Sequence, residues 1–142
     1  DVCSSDLPLA QRVVNVATRA TAGAGDNALI AGFYVSGSAP KRVLIRGVGP
    51  ALTQFGVTGA LARPQLSIAS GSTVLAQNAG LASSADATAI LSAATQVGAF
   101  ALPANAADAA ILINLAPGAY TAQVSGVGGT TGVALVEVYE VP

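Results

Sequence analysis

The stretch AAILINLAPGAYTAQVSG, residues Ala109 to Gly126, decides the fold class. Ile111, Ile113 and Leu115 recur at every second position. Ala116-Pro117-Gly118 then interrupts, and Tyr120, Ala122 and Val124 alternate with Thr121, Gln123 and Ser125. A period of two is that of a strand with one face in a core, whereas a helix repeats at about 3.6. A Pro-Gly pair between two such runs turns the chain. The stretch therefore predicts two strands joined by a tight turn, with their apolar residues in one core.

The same pattern spreads outward in both directions. Lys41 to Val48 alternates Val43 and Ile45, directed inward, with Arg42 and Arg46, directed outward. Val13 to Ala20 and Ala28 to Ser36 read as earlier strands, the second with Leu29, Phe33 and Val35 on one face, and Thr21 to Asn27 as the turn between them. Gln65 to Ala69 and Thr73 to Gln77 flank Gly71-Ser72, a two-residue hairpin signal. Gly132 to Val141 is the last strand. It is apolar on both faces except for Glu137 and Glu140, which marks a central strand or one whose second face is covered. Two segments break the pattern. Pro50 suits the first position of a single helical turn over Ala51 to Phe55. Ser84 to Val97 carries Ile90, Ala94 and Val97 at helical spacing, with Ser84 to cap it, Asp86 in its first turn and Gly98 to end it. About eight strands and one short helix predict an all-β sandwich, jelly-roll-like, as a single domain over residues 8–142.

The first seven residues, Asp1-Val2-Cys3-Ser4-Ser5-Asp6-Leu7, read differently. They hold the chain's one cysteine and match the in-frame translation of a short-read sequencing adapter. They are expected to be foreign to the fold, which leaves a domain without cysteine.

Composition excludes several classes of function. Charged residues are 9 % of the chain, against about 25 % in an ordinary soluble domain, and the net charge is −1. No basic field exists to hold nucleic acid or an anionic membrane. Histidine is absent, so neither a Ser-His-Asp triad nor a histidine metal site can be built. The uncharged run from Pro64 to Ala85 is broken by Ser70, Gly71, Ser72, Gln77 and Asn78, and does not read as a membrane span.

The remaining candidates for chemistry are sparse. Glu137 and Glu140, three apart on a strand, point to opposite faces and cannot form a glycosidase pair. Asp26, Asn27, Asn78 and Asp108 offer oxygens to calcium but too few charges for the six to eight ligands it takes; turn chemistry accounts for them. The Gly-x-Gly sequences at Gly23, Gly47 and Gly126 open no helix within a βαβ unit and are read as turns needing positive φ. Lys41, Arg42, Arg46 and Arg63 form a small basic group, read as a solvated face pairing with Glu137 or Glu140. Tyr34, Tyr120 and Tyr139 are the aromatic residues available to a sugar-stacking platform, though Tyr120 sits in the alternating core set.

Two segments carry a family resemblance: KRVLIRGVGPALTQFGVTGALARPQLSI from Lys41, and LAPGAYTAQVSGVGGTTGVALVEVYEV from Leu115. From about Arg12 to the end, the chain resembles bacterial secreted and cell-surface β-sandwich modules of the pre-peptidase C-terminal type. The resemblance implies a small extracellular module appended to a larger protein. Relatives often carry Asn-Asp where this chain has Asn78-Ala79, which weakens any calcium site carried over from them.

These readings converge on a module without enzymatic activity and without a cofactor, extracellular or on the bacterial cell surface. Its expected role is structural or adhesive, with an extracellular fibre subunit as one form. A carbohydrate- or calcium-binding accessory module is the alternative. The expected partners are a second copy, neighbouring domains or surface glycans. The last strand, through Val133, Leu135, Glu137 and Tyr139, is the expected site of strand-mediated assembly, because its second apolar face needs cover either from the helix near Ile90 or from another chain.

Overall fold

The computed structural model of the protein describes residues 15–23, 27–103 and 105–142. The N-terminal heptad and Asp26 lie outside the described residues.

Eight strands form two antiparallel four-stranded sheets. Sheet A joins β1 (Asn15–Ala22), β8 (Gly132–Val141), β3 (Lys41–Val48) and β6 (Ala109–Leu115), in the order β1-β8-β3-β6. Sheet B joins β2 (Leu29–Val35), β7 (Gly118–Gly126), β4 (Pro64–Ser70) and β5 (Thr73–Asn78), in the order β2-β7-β4-β5. The predicted sandwich is the observed fold. Strands β3, β6 and β8 occupy the predicted ranges, and β1 runs on to Ala22, into the segment read as a turn.

The alternation in Ala109–Gly126 has the predicted register. Ile111, Leu115, Ala122, Val124 and Val136 are buried between the sheets with Val43, Ile45, Leu66 and Ile68, and Ile113, Tyr120 and Val138 pack against them half-buried. Phe33 and Tyr120, directly opposed across β2 and β7, stack with centroids 5.7 Å apart.

Sheet A has a second core on its outer side. Helix α1 (Ala87–Val97) lies across it and ends at Gly98, which adopts the left-handed conformation at φ 74°. Ile90, Ala93 and Ala94 of the helix, with Leu81, Leu102 and Ala106 of the adjoining loops, cover Leu44, Ala110, Tyr139 and Val141. The two apolar faces of β8 are thus both covered within one chain.

Within the Gly-x-Gly sequences, Gly128 and Gly129 have the expected positive φ, at 69° and 79°, whereas Gly47, Gly49 and Gly126 do not. These last three make room for close neighbours. A Cβ on Gly49 would lie 2.1 Å from the Leu61 carbonyl oxygen, and one on Gly126 would lie 2.0 Å from the Thr130 carbonyl oxygen. The two loops pack against backbone, and no side chain larger than hydrogen fits.

The core predicts an ordered pair of stability losses. Ile45 is fully buried and Ile113 half-buried, so Ile45→Ala costs about 3–5 kcal/mol and Ile113→Ala about 2 kcal/mol or less. Urea unfolding of the two variants checks the order; equal losses would mean that the sandwich interior is not where the register puts it.

Candidate functional site

Strand β8 does not have the free edge that assembly through it requires. Its residues pair with β1 on one side, where Leu135 opposes Arg19 and Tyr139 opposes Asn15. On the other side they pair with β3, where Glu137 opposes Arg46 and Leu135 opposes Val48. The expected role of Val133, Leu135, Glu137 and Tyr139 in strand addition is corrected accordingly: both rows of backbone groups are used inside sheet A, and α1 supplies the second cover.

Glu137 and Tyr139 instead belong to a buried polar cluster. Arg46 points outward from β3, as its place in the alternation predicts, yet it is 1 % exposed rather than solvated. Its Nε donates to Glu137 Oε1 at 2.7 Å and its Nη1 to the Phe100 carbonyl oxygen at 2.7 Å. Nη2 lies 2.6 Å from the same Glu137 oxygen as an ion-pair contact without hydrogen-bond alignment. The Tyr139 hydroxyl donates to the other carboxylate oxygen, Oε2, at 2.6 Å. The guanidinium sits 4.3 Å from the Phe100 ring centroid, and Phe55 meets Phe100 edge-on at 5.0 Å. Burial, together with the hydrogen bond and negative charge of Glu137, pushes the Tyr139 phenol above its ordinary range, and the Arg46 charge opposes the shift. The cluster is closed, charge-neutral and without a nucleophile. It pins the loop after α1 onto sheet A and offers nothing to a substrate.

Lys41, the other paired base, reaches Glu140 at 3.2 Å on the opposite face of the sheet. The two glutamates therefore face opposite ways, and each has a basic partner on β3.

Two of the residues considered for calcium, Asp108 and Asn78, commit an oxygen to backbone donors. Asp108 Oδ2 accepts from the amides of Gly49 and Ala51 at 2.8 and 3.0 Å, holding the start of the 3-10 turn Pro50–Phe55. Asn78 Oδ1 accepts from Gly80 and Ala110 at 3.0 and 3.1 Å, tying the end of β5 to the edge of sheet A. Among the described residues no group of three or more potential metal ligands gathers. The cleft between β5, β6 and the start of α1 holds about 170 Å³, below the roughly 300 Å³ at which small-molecule sites begin.

The outer face of sheet B is different. Its inward residues Leu66, Ile68, Ala122 and Val124 are fully buried, while the residues between them are half-buried or exposed. The register sets Ile30, Gln123, Ser67 and Gln77 in one row across all four strands. The next row runs Gly32, Thr121, Ala69 and Val74. At the margins Tyr34 is 71 % exposed, Ile30 59 % and Val74 54 %. No strand of sheet B contains a charged residue. The strands of sheet A contain six, Arg19, Lys41, Arg42, Arg46, Glu137 and Glu140. The structure does not bring the three tyrosines together. Tyr34 stands on this face, Tyr120 points into the sandwich, and Tyr139 lies under α1. The polar members of the rows were legible only as the outward half of each alternation; their alignment across four strands needs the register.

Two outcomes follow for the buried cluster. Arg46→Met or Glu137→Leu alone leaves an uncompensated charge and costs about 3–5 kcal/mol, whereas the double variant recovers most of that loss. A double-mutant cycle by urea unfolding measures it, and strictly additive losses would show that the two groups do not act as a pair. The folded protein also holds the Tyr139 proton more tightly than the unfolded chain. The phenol's contribution is therefore complete below pH ~10 and is lost as pH rises beyond it. Tyr139→Phe should flatten the decline of stability between pH 9 and 12, roughly the range in which a tyrosine titrates, and an unchanged slope in that variant would assign the decline to other groups.

No family model and no curated protein sequence matches the chain. Among solved structures, it superposes on the pre-peptidase C-terminal domain of a collagenase from Bacillus anthracis. The match covers 88 % of this chain and 89 % of that one, with a TM-score of 0.51 and 15 % identity. At that identity the likeness is one of fold: the two chains share a β-sandwich over nearly their whole length.

Proposed function

We propose that the protein is a non-catalytic module of a secreted or cell-surface protein, and that its role is adhesive. The observation that carries this reading is the contrast between the two sheets. Every charged side chain of the strands is in sheet A, mostly paired or under cover, while sheet B turns to solvent a broad face whose strands hold no charge and over which no described element packs. The fold shared with a domain of a collagenase supports the reading, since that domain is named as one part of a larger enzyme. The described residues bring no two catalytic-type groups together in an open cleft, which favours attachment over turnover. Fibre formation is the second form of the reading. With β8 closed on both edges, it would have to use an outer strand such as β5, where Val74 and Leu75 are exposed.

The purified chain is expected to adsorb to insoluble extracellular polymers and to leave chromogenic peptide, ester and glycoside substrates unhydrolysed. Turnover that copurifies with the chain and disappears in a point variant would overturn the non-catalytic reading. Failure to adsorb to any extracellular polymer, protein or polysaccharide, would overturn the adhesive one.

A further inference from the structure

We infer that the outer face of sheet B is a docking surface for an uncharged polysaccharide. This rests on the adhesive reading and names its partner class. The first argument is charge. A polyanion is held by Lys and Arg, and a polycation by carboxylates. The four strands of sheet B have neither. An ionic partner gains nothing here that water does not already provide.

The second argument is the kind of polar group present. Gln77, Ser67 and Gln123 stand in one row, with Thr121 in the next. Amides and hydroxyls each donate and accept, as sugar hydroxyls do. Neighbours within a row lie about 4.8 Å apart on adjacent strands, and successive rows about 6.8 Å apart along them, which makes a regular grid of such groups. Beside the grid, Tyr34 and Ile30 project from the same face of β2, 71 % and 59 % exposed. A sugar ring pairs a hydroxyl edge with an apolar C–H face, and an exposed phenol ring is suited to that face.

The third argument is rigidity. β7 and β4 are central strands, paired on both sides, so most of the grid needs no ordering on binding. A second copy fits the face less well. Stable interfaces between copies bury an apolar, aromatic-rich centre, whereas the centre here is Thr121, Gln123 and Ser67 beside the small Ala69, with the large apolar residues at the margins.

The experiment is depletion of the full chain from solution by microcrystalline cellulose, chitin or cross-linked dextran, with gelatin beads alongside. Retention on at least one neutral polysaccharide is expected, and it should persist from about 50 to 500 mM NaCl because no exposed charge pair is screened. Tyr34→Ala and Thr121→Lys should each weaken retention by roughly tenfold, with Gln123→Ala as a milder variant. Arg42→Ala, exposed on the other sheet, should leave it unchanged. Thermal unfolding confirms that each variant folds. Four results overturn the inference: no retention on any of the three polysaccharides, retention abolished by salt, full retention of the folded Tyr34 and Thr121 variants, or a concentration-dependent dimer that Thr121→Lys dissolves. Retention on gelatin without retention on polysaccharide overturns this inference and leaves the adhesive reading standing.

Discussion

Strand β8 has hydrogen-bonded neighbours on both edges and side chains that must be kept from water on both faces, and the asymmetry of the molecule follows from it. Ala134, Val136 and Val138 require a facing sheet, which is sheet B. Tyr139 and Val141 require cover on the other side, and a helix with its adjoining loops supplies it without adding a third sheet. Helix α1 and the loops around it provide that cover. Much of β3, β6 and β8 is therefore interior on both faces, while β1 keeps residues 17–20 exposed and sheet B has its outer face in water.

Covering the second face of sheet A traps a charge pair that an open sandwich would leave in solvent. Arg46 and Glu137 are direct cross-strand partners, which is a favourable placement at any exposure. Under the loop that carries Phe100 they lose their water. The arrangement is sustained by full use of the carboxylate, since one oxygen takes the guanidinium and the other takes the Tyr139 hydroxyl. Buried pairs of this kind contribute little net stability compared with apolar packing. What this one does is geometric, because the guanidinium reaches the Phe100 carbonyl and so gives the loop one position on the sheet.

The surface proposed for docking is defined by what the covered sheet excludes from it. With the strands' charges gathered into sheet A, the strands of sheet B leave its outer face without charge and built on paired strands. Such a face discriminates by hydrogen bonding and shape rather than by long-range attraction, so its encounters are unsteered and insensitive to ionic strength.

Period-two alternation in Lys41–Val48, Ala109–Leu115 and Gly132–Val141 was enough to place those strands and their inward faces, because the pleat ties side-chain direction to residue parity. The helix and its end at Gly98 are likewise local matters of spacing and of a left-handed glycine, although the helix starts at Ala87 with Asp86 at its N-cap and not at Ser84, so that Asp86 lies before its first turn. Parity, however, says which face a residue is on and not what lies above that face. Arg46 is directed outward as its parity requires but is not in solvent, since Phe100, in the loop that covers it, is 54 residues away in sequence. The doubly apolar β8 told that something must cover it; that the cover is α1, and that β1 and β3 close both edges, depends on strand order, which no single strand encodes. The row Ile30, Gln123, Ser67 and Gln77 joins four separate segments of chain, and only the pairing of strands distant in sequence brings their side chains onto one surface.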